Sequence, residues 1–160
     1  MIKILRVSIL LFLLVMAISG CYVTKKVVIQ TFDFDKDISF TVDSVQEGKS
    51  VASGSGGYSA KKGFKLVMLF VSMKNHSDID KNMDFNKFYL LDPKSQTKFK
   101  LEFTMLQTEM NVWGRTDLKI KKNDIKKRKL VFIFPENETA EMFSVDDEIH
   151  YIKYILPIHK

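Results

Sequence analysis

The sequence predicts an all-β fold, an antiparallel β-sandwich of about seven strands, and three observations carry that expectation. Apolar residues recur with period two rather than 3.6 along most of the chain. The apolar runs are short and are broken by polar, Gly/Ser-rich or proline-stopped turns. No stretch shows the long amphipathic pattern of a helix that crosses between parallel strands. With 160 residues, 46% of them apolar and 28% charged, the chain has the size and composition of one ordinary domain. Seven glycines and three prolines exclude collagen-like and low-complexity classes. An up-and-down barrel is the alternative way to close such a sheet.

The strands follow in order. Residues 26–32 (KVVIQTF) read as the first. In residues 38–45, Ile38, Phe40 and Val42 share one face and Ser39, Thr41 and Asp43 the other. Residues 46–62 are rich in Gly and Ser and read as a flexible loop. Residues 64–74 (FKLVMLFVSMK) are apolar on both faces, as a central strand covered on two sides would be. Residues 75–86 read as a polar connection, and 88–91 as a short strand stopped by Asp92-Pro93. In 97–103, Phe99, Leu101 and Phe103 are expected inward. Residues 105–116 suit a short helix or an irregular crossover carrying Trp113. Leu118 and Ile120 point one way, Lys119 and Lys121 the other. Residues 129–134 (KLVFIF) form a strand stopped by Pro135, 136–147 an acidic loop with a helical turn near 140–143, and 150–156 the last strand.

The first twenty-one residues carry an address. Lys3 and Arg6 precede an apolar run, 7–16 (VSILLFLLVM), that is too short to cross a bilayer of ~30 Å, which takes roughly 20 residues. A positive start, a short apolar core and then small residues make a secretory signal segment. Ile18-Ser19-Gly20-Cys21 resembles the bacterial lipobox, and Cys21 is the only cysteine in the chain. The resemblance implies a diacylglycerol on the Cys21 thiol and cleavage before it, hence export and a lipid anchor in the bacterial cell membrane or outer membrane. Tyr22 in place of an aspartate fits an outer-membrane destination by the same resemblance. The division is then 1–20 signal peptide, 21–25 acylated tether and 26–160 sandwich domain. Removal of Lys3 and Arg6 lowers the formal charge from +6 to +4.

Three further stretches carry a family resemblance. After Ile38-Ser-Phe-Thr-Val42 come Gly63, a long apolar strand and the turn Asn75-His-Ser-Asp78. Later comes Lys126-Lys-Arg-Lys-Leu-Val-Phe-Ile-Phe-Pro135. This pattern, over residues 37–155, is similar to the telokin-like, immunoglobulin-fold domain of bacterial lipoproteins. Asn123-Asp124-Ile125-Lys126 stands where that family often has Pro-Gly. The resemblance implies an immunoglobulin-like sandwich at the cell envelope and brings no catalytic residues.

No motif in the sequence flags a reaction. Asp78, Asp80, Asn82 and Asp84 alternate like the start of a calcium loop, but Met83 takes the glycine position and Tyr89 the bidentate glutamate position. Asp33, Asp35 and Asp37 form a second alternating set. The Gly54–Gly57 loop lacks P-loop spacing, and His76, His150 and His159 stand apart without a nucleophile motif. No metal or cofactor is expected. Two surfaces remain. Lys119, Lys121, Lys122, Lys126, Lys127, Arg128 and Lys129 crowd eleven positions. They suit either contact with an anionic membrane surface or a solvated hairpin whose lysines guard an edge strand. Leu66, Met68 and Phe70 form the second face of the long strand, a candidate interaction face to be covered by residues 105–113 or by an envelope partner protein. Nucleic acid is a poor partner for an exported chain of modest charge. The expected role is a non-enzymatic binding module at the envelope, with a structural spacer or a hydrolase accessory as alternatives.

Overall fold

The computed structural model describes residues 22–54, 56–108 and 111–155. The signal segment, Cys21 and His159 lie outside these residues. The described chain is almost entirely strand. β1 (Val23–Lys26) and β2 (Thr31–Asp33) form one interrupted edge beside β3 (Ile38–Gly48). A hairpin of β4 (Ser50–Ser53) and β5 (Gly56–Ser59) precedes the long β6 (Phe64–Asn75). Next come β7 (Lys81–Asp84), a 3-10 turn (Phe85–Lys87), β8 (Phe88–Leu91) and β9 (Lys98–Leu106). β10 (Trp113–Gly114), β11 (Asp117–Ile120), β12 (Ile125–Pro135), β13 (Met142–Val145) and β14 (Glu148–Tyr151) complete it.

One sheet runs β1-β3-β6-β12-β9-β8-β13-β14, antiparallel at every step, and doubles back to make the expected antiparallel β-sandwich. The fold back occurs in β9. Its residues 101–106 pair with β12 in one layer and 98–100 pair with β8 in the other. The two ends of the path then meet. The Val28 N–H donates to Lys153 O (2.8 Å) and the Ile155 N–H to Lys26 O (2.9 Å). Those bonds cover part of an edge that would otherwise be open to another chain.

Between the layers sits the main core. Ile38, Phe40, Val42 and Val45 of β3 meet Val67, Leu69, Val71 and Met73 of β6 and Leu130, Phe132 and Phe134 of β12. Phe88, Leu90, Phe143 and Val145 close it from the other layer. Aromatic edges lock it, with Phe40 at 5.2 Å from Phe88 and 5.9 Å from Phe143. Val42 and Val45 are three apart yet face the same way. A bulge between Val42 and Ser44 absorbs the extra residue, and Asp43 there accepts from Ser72 Oγ (2.6 Å).

β6 is central and covered on both faces, as its sequence predicts, and the second cover comes from the chain itself. Leu66, Met68, Met105 and Val131 form a separate cluster beneath Val51, with Tyr58, Phe70, Phe103 and Ile133 at its margin. The segment expected as a flexible loop is therefore the β4–β5 hairpin, whose Val51 and Tyr58 supply the apolar side. The Tyr58 hydroxyl donates to Glu102 Oε1 (2.7 Å), latching the hairpin to β9 and pushing its pKa up to about 12. Phe103 also departs from expectation. The β12–β9 register shifts between Val131 and Phe132, leaving Glu102 as the extra residue. Leu101 then stays in the main core while Phe103 turns to the outer cluster.

Smaller differences have similar causes. The 75–86 connection contains β7, which pairs with β11, because Met83 needs burial and reaches 0% exposure. The described residues of 105–116 carry no helix, and β10 pairs back onto β9 instead. No helical turn forms near 140–143: Ala140 is buried in the irregular link before β13 and Phe143 within β13. From Arg128 to Phe132 β12 lies between β6 and β9, so Arg128 and Lys129 guard no edge, whereas Lys126 and Lys127 pair with β6 alone.

Candidate functional site

Register sorts the loops between two ends. β1 begins at Val23 opposite Glu47, whereas β3 begins and β6 ends at the opposite extreme, where Ile38 faces Asn75. The near end thus holds Tyr22, Lys49, the 61–63 turn and Glu136. The far end holds the turns at 34–37, 76–80 and 121–124. Eleven steps of β6 from Phe64 to Asn75, at ~3.3 Å each, separate them by roughly 36 Å.

The basic turn occupies the far end, and one buried amide holds it there. Asn75 has no exposed surface. Its Nδ2 shares two hydrogens among Ile79 O (2.8 Å), Ile120 O (3.1 Å) and Lys121 O (3.2 Å). Its Oδ1 accepts from Ser77 N (2.9 Å) and Ser77 Oγ (2.8 Å). Asp80 adds a clamp, taking Lys122 N–H (3.1 Å) and the Lys119 ammonium (3.0 Å), and those two donors hold its carboxyl below the usual range. Two of the alternating residues, Asp80 and Asp84, thereby spend their oxygens on the chain: Asp84 caps the 3-10 turn through Asn86 N–H (2.9 Å). Asp35 Oδ1 accepts from Asp37 and Ile38 N–H (both 2.7 Å), and Asp37 pairs with Lys81 (2.5 Å). Among the described residues no three His, Cys, Asp or Glu side chains gather as a metal site.

The seven cations divide by environment. Lys119 and Lys126 are paired, the latter with Asp124 (2.8 Å). Lys129 lies half-buried on the outer face, 5.1 Å from the Phe70 ring centre and bonded to Asn111 Oδ1, and burial pulls its pKa down. Lys121, Lys122 and Lys127 stand exposed. Arg128 is half-buried. Its Nη1 donates to Lys127 O (2.8 Å), its Nε is buried without a partner, and burial lowers its pKa.

Arg128 borders a shallow groove of about 610 Å³ between β12, β10 and the β7–β11 pair. Leu106, Trp113 and Leu118 give it apolar walls, and Asn82, Arg115 and Lys119 polar ones. Arg115 is held bidentately by Asp117 (2.9 and 3.0 Å). Trp113 packs edge-on to Phe103 with ring centres 4.2 Å apart. Gly114 allows β10 to come this close, since a Cβ there would stand 2.5 Å from Thr104 Oγ1. An apolar platform beside a guanidinium that has no carboxylate partner among the described residues suits a ligand that joins an anionic group to an apolar body. The sequence shows Trp113 and the cations; it does not show that β10 brings them together.

Two expected features move. Leu66 and Met68 are 0% and 2% exposed beneath the β4–β5 hairpin, so they offer no face to a partner; Phe70 is half-buried under Lys129. Lys121, Lys122, Lys126, Lys127, Arg128 and Lys129 lie toward the far end, roughly 20–36 Å along the strand from the near rim at Phe64. His76 Nε2 lies 2.7 Å from Ser39 Oγ, a serine–histidine contact on the exposed rim outside any cavity described. A second cavity of about 430 Å³, lined by Asp33, Asp35, Asp146 and Glu148 with Lys36, lies at the far end beside the 34–37 turn.

No protein-family profile matches the chain, and no curated protein matches it. Among solved structures, a conserved hypothetical protein from Bacillus anthracis superposes with a TM-score of 0.58 at 16% identity, over 84% of this chain and 97% of that one. An uncharacterized β-sandwich protein from Clostridium difficile 630 superposes with a TM-score of 0.54 at 14% identity, over 82% and 94%. At such identities the likeness concerns architecture: the chain is an antiparallel β-sandwich similar to these two bacterial proteins.

Proposed function

We propose that the chain is an exported lipoprotein of the bacterial cell envelope, carrying a telokin-like, immunoglobulin-fold domain that acts as a non-enzymatic binding module. It is held to the membrane through acylated Cys21 and presents its far end to an envelope partner. The observation that carries this reading is positional. The single cysteine closes a lipobox two residues before β1, while the groove at Trp113 and Arg128 and the three exposed lysines lie toward the other end. Anchor and binding surface are thus separated along one strand axis, as suits a tethered module that reaches outward. Each acyl methylene buried in the bilayer contributes about 0.8 kcal/mol, so two or three chains hold the protein durably.

Metabolic labelling with a fatty acid, followed by fractionation, tests the anchor. The native chain takes label and sediments with membranes. Cys21→Ser remains unlabelled and unprocessed. Normal labelling of Cys21→Ser refutes the proposal.

A further inference from the structure

Resting on the lipid-anchor reading, we infer that the near end of the sandwich is itself a membrane-contact surface. Tyr22, Lys61, Lys62 and Phe64 form a collar that seats the domain upright on anionic phospholipid.

The chain leaves no room for a loose tether. Only Tyr22 stands between Cys21 and Val23, two chain steps with a reach of at most about 7 Å. Whatever stands on the near rim is therefore brought to headgroup level by the anchor alone. That rim exposes large apolar side chains, Tyr22 at 40%, Val23 at 59% and Phe64 at 37%. Phe64 is fixed there by its turn: its N–H donates to Lys61 O (3.0 Å), Gly63 adopts φ +83°, and Gly63 O accepts from Glu136 N–H (3.0 Å). Only a residue tolerant of positive φ closes that turn without strain.

Charge completes the match. Lys49 and Lys94 at this end are neutralised by Glu136 (2.6 Å) and Glu138 (2.8 Å). Lys61 and Lys62 are exposed and have no acidic partner among the described residues. Amphipathic rings beside free lysines match the chemistry of the headgroup layer. The basic turn at the far end competes poorly for the same surface. It lies roughly 36 Å up the strand axis, more than four Debye lengths at ~8 Å each.

Trp113 is the chain's only tryptophan and serves as a height gauge. It pairs with Met105, which faces Lys129 and through it Phe70, six residues along β6 from Phe64, hence roughly 20 Å above the rim. The test uses the full chain purified in detergent and reconstituted into phosphatidylcholine–phosphatidylglycerol vesicles, with and without acyl-brominated lipid as contact quencher. Native Trp113 emission stays unchanged on bromination. Phe64→Trp in a Trp113→Phe background, checked for native circular dichroism, loses most of its emission. Adding Lys61→Glu and Lys62→Glu restores much of it while flotation with vesicles persists. Quenching of Trp113 with none at position 64, or none at either, overturns the collar. A purified chain whose mass lacks acyl groups overturns the anchor reading instead. Coupling a maleimide phospholipid to its one thiol, Cys21, then subjects the collar to the same measurement.

Discussion

Replacing Asn75 by alanine removes the amide that ties the 76–80 turn to the carbonyls entering the basic turn. Its cost follows from its bonds. Two hydrogens serve three carbonyls, and the bond to Ile120 O is fully buried. Leaving a buried acceptor unpaired costs about 1–3 kcal/mol, and a hydrogen bond at a part-exposed site about 0.5–1.5 kcal/mol. Water reaches the Ser77 side of the site more readily than the Ile120 side, so the lower figures apply to Ser77. The net loss expected is about 3 kcal/mol. For a domain of this size that is a fall in Tm of roughly 10 °C. Urea unfolding followed by circular dichroism reads it, with an unchanged m-value showing that the denatured state is unaffected. Asn75→Asp is no gentler, because a carboxylate keeps the Ser77 bonds but faces three carbonyls with no hydrogen to give. Hydrogen exchange at the Lys122 and Asp124 amides quickens in both variants. A loss below about 1 kcal/mol in Asn75→Ala refutes the reasoning, since water would then be satisfying the carbonyls as well as Asn75 does.

Three more perturbations follow from the same geometry. Gly114→Ala drives a Cβ into Thr104 Oγ1, itself fixed by its bond to Arg115 O (2.8 Å), and costs about 1–3 kcal/mol; adding Thr104→Ala recovers part of that, as a double-mutant cycle by thermal melting will show. Val51→Asp places a carboxylate in the outer cluster and lifts the β4–β5 hairpin, so a hydrophobic dye binds Leu66 and Met68 while far-ultraviolet dichroism stays near native. His150 packs 5.0 Å from Phe32 and 5.2 Å from Phe143 with Nε2 unpartnered, and burial pulls its pKa below 6.5 against a weaker opposing pull from Glu148. The unfolded imidazole then protonates first, so this contribution is whole above pH 6.5 and falls away as pH drops towards the folded value; His150→Phe flattens that part of the stability–pH curve.

Much of the sandwich is legible in the residues because burial dictates them. The two-faced run at 64–74, the alternation at 38–42 and the stop at Pro135 each need only the period of a strand. Bulges are harder to read, because one extra residue reverses every later side chain: Asp43 keeps Val45 inward and Glu102 sends Phe103 outward. The β4–β5 hairpin hides behind its glycines and serines, and only Val51 and Tyr58 betray an apolar side. Asn75 looks like any turn residue. The signal is Ser77 two places on, which suits an Asx turn, but three distant carbonyls are invisible from the chain. The basic cluster is plain in the sequence; its place in the molecule is not.

That place turns on two residues. In an antiparallel fold each strand reverses the chain, so the end at which a loop emerges depends on how many strands precede it. Counting the strands expected from residue 26 onward, six reversals put the turn before 129–134 back beside the point where the chain begins, against any bilayer that holds Cys21. The structure adds β10. Trp113 and Gly114 pair antiparallel with Met105 and Thr104, so the chain turns once more between β9 and β11. β11 then ends at the far end, where Ile120 O and Lys121 O meet Asn75. A two-residue strand therefore shifts seven cations from one end of the molecule to the other. It forms because position 114 has no Cβ to strike Thr104. If β10 were lost, the 107–116 segment would have no pairing to hold that extra reversal. Gly114→Ala accordingly bears on where the basic turn points as well as on stability, and loss of protection at the Leu106 N–H, now bonded to Val112 O (2.8 Å), reports the first sign of that loss.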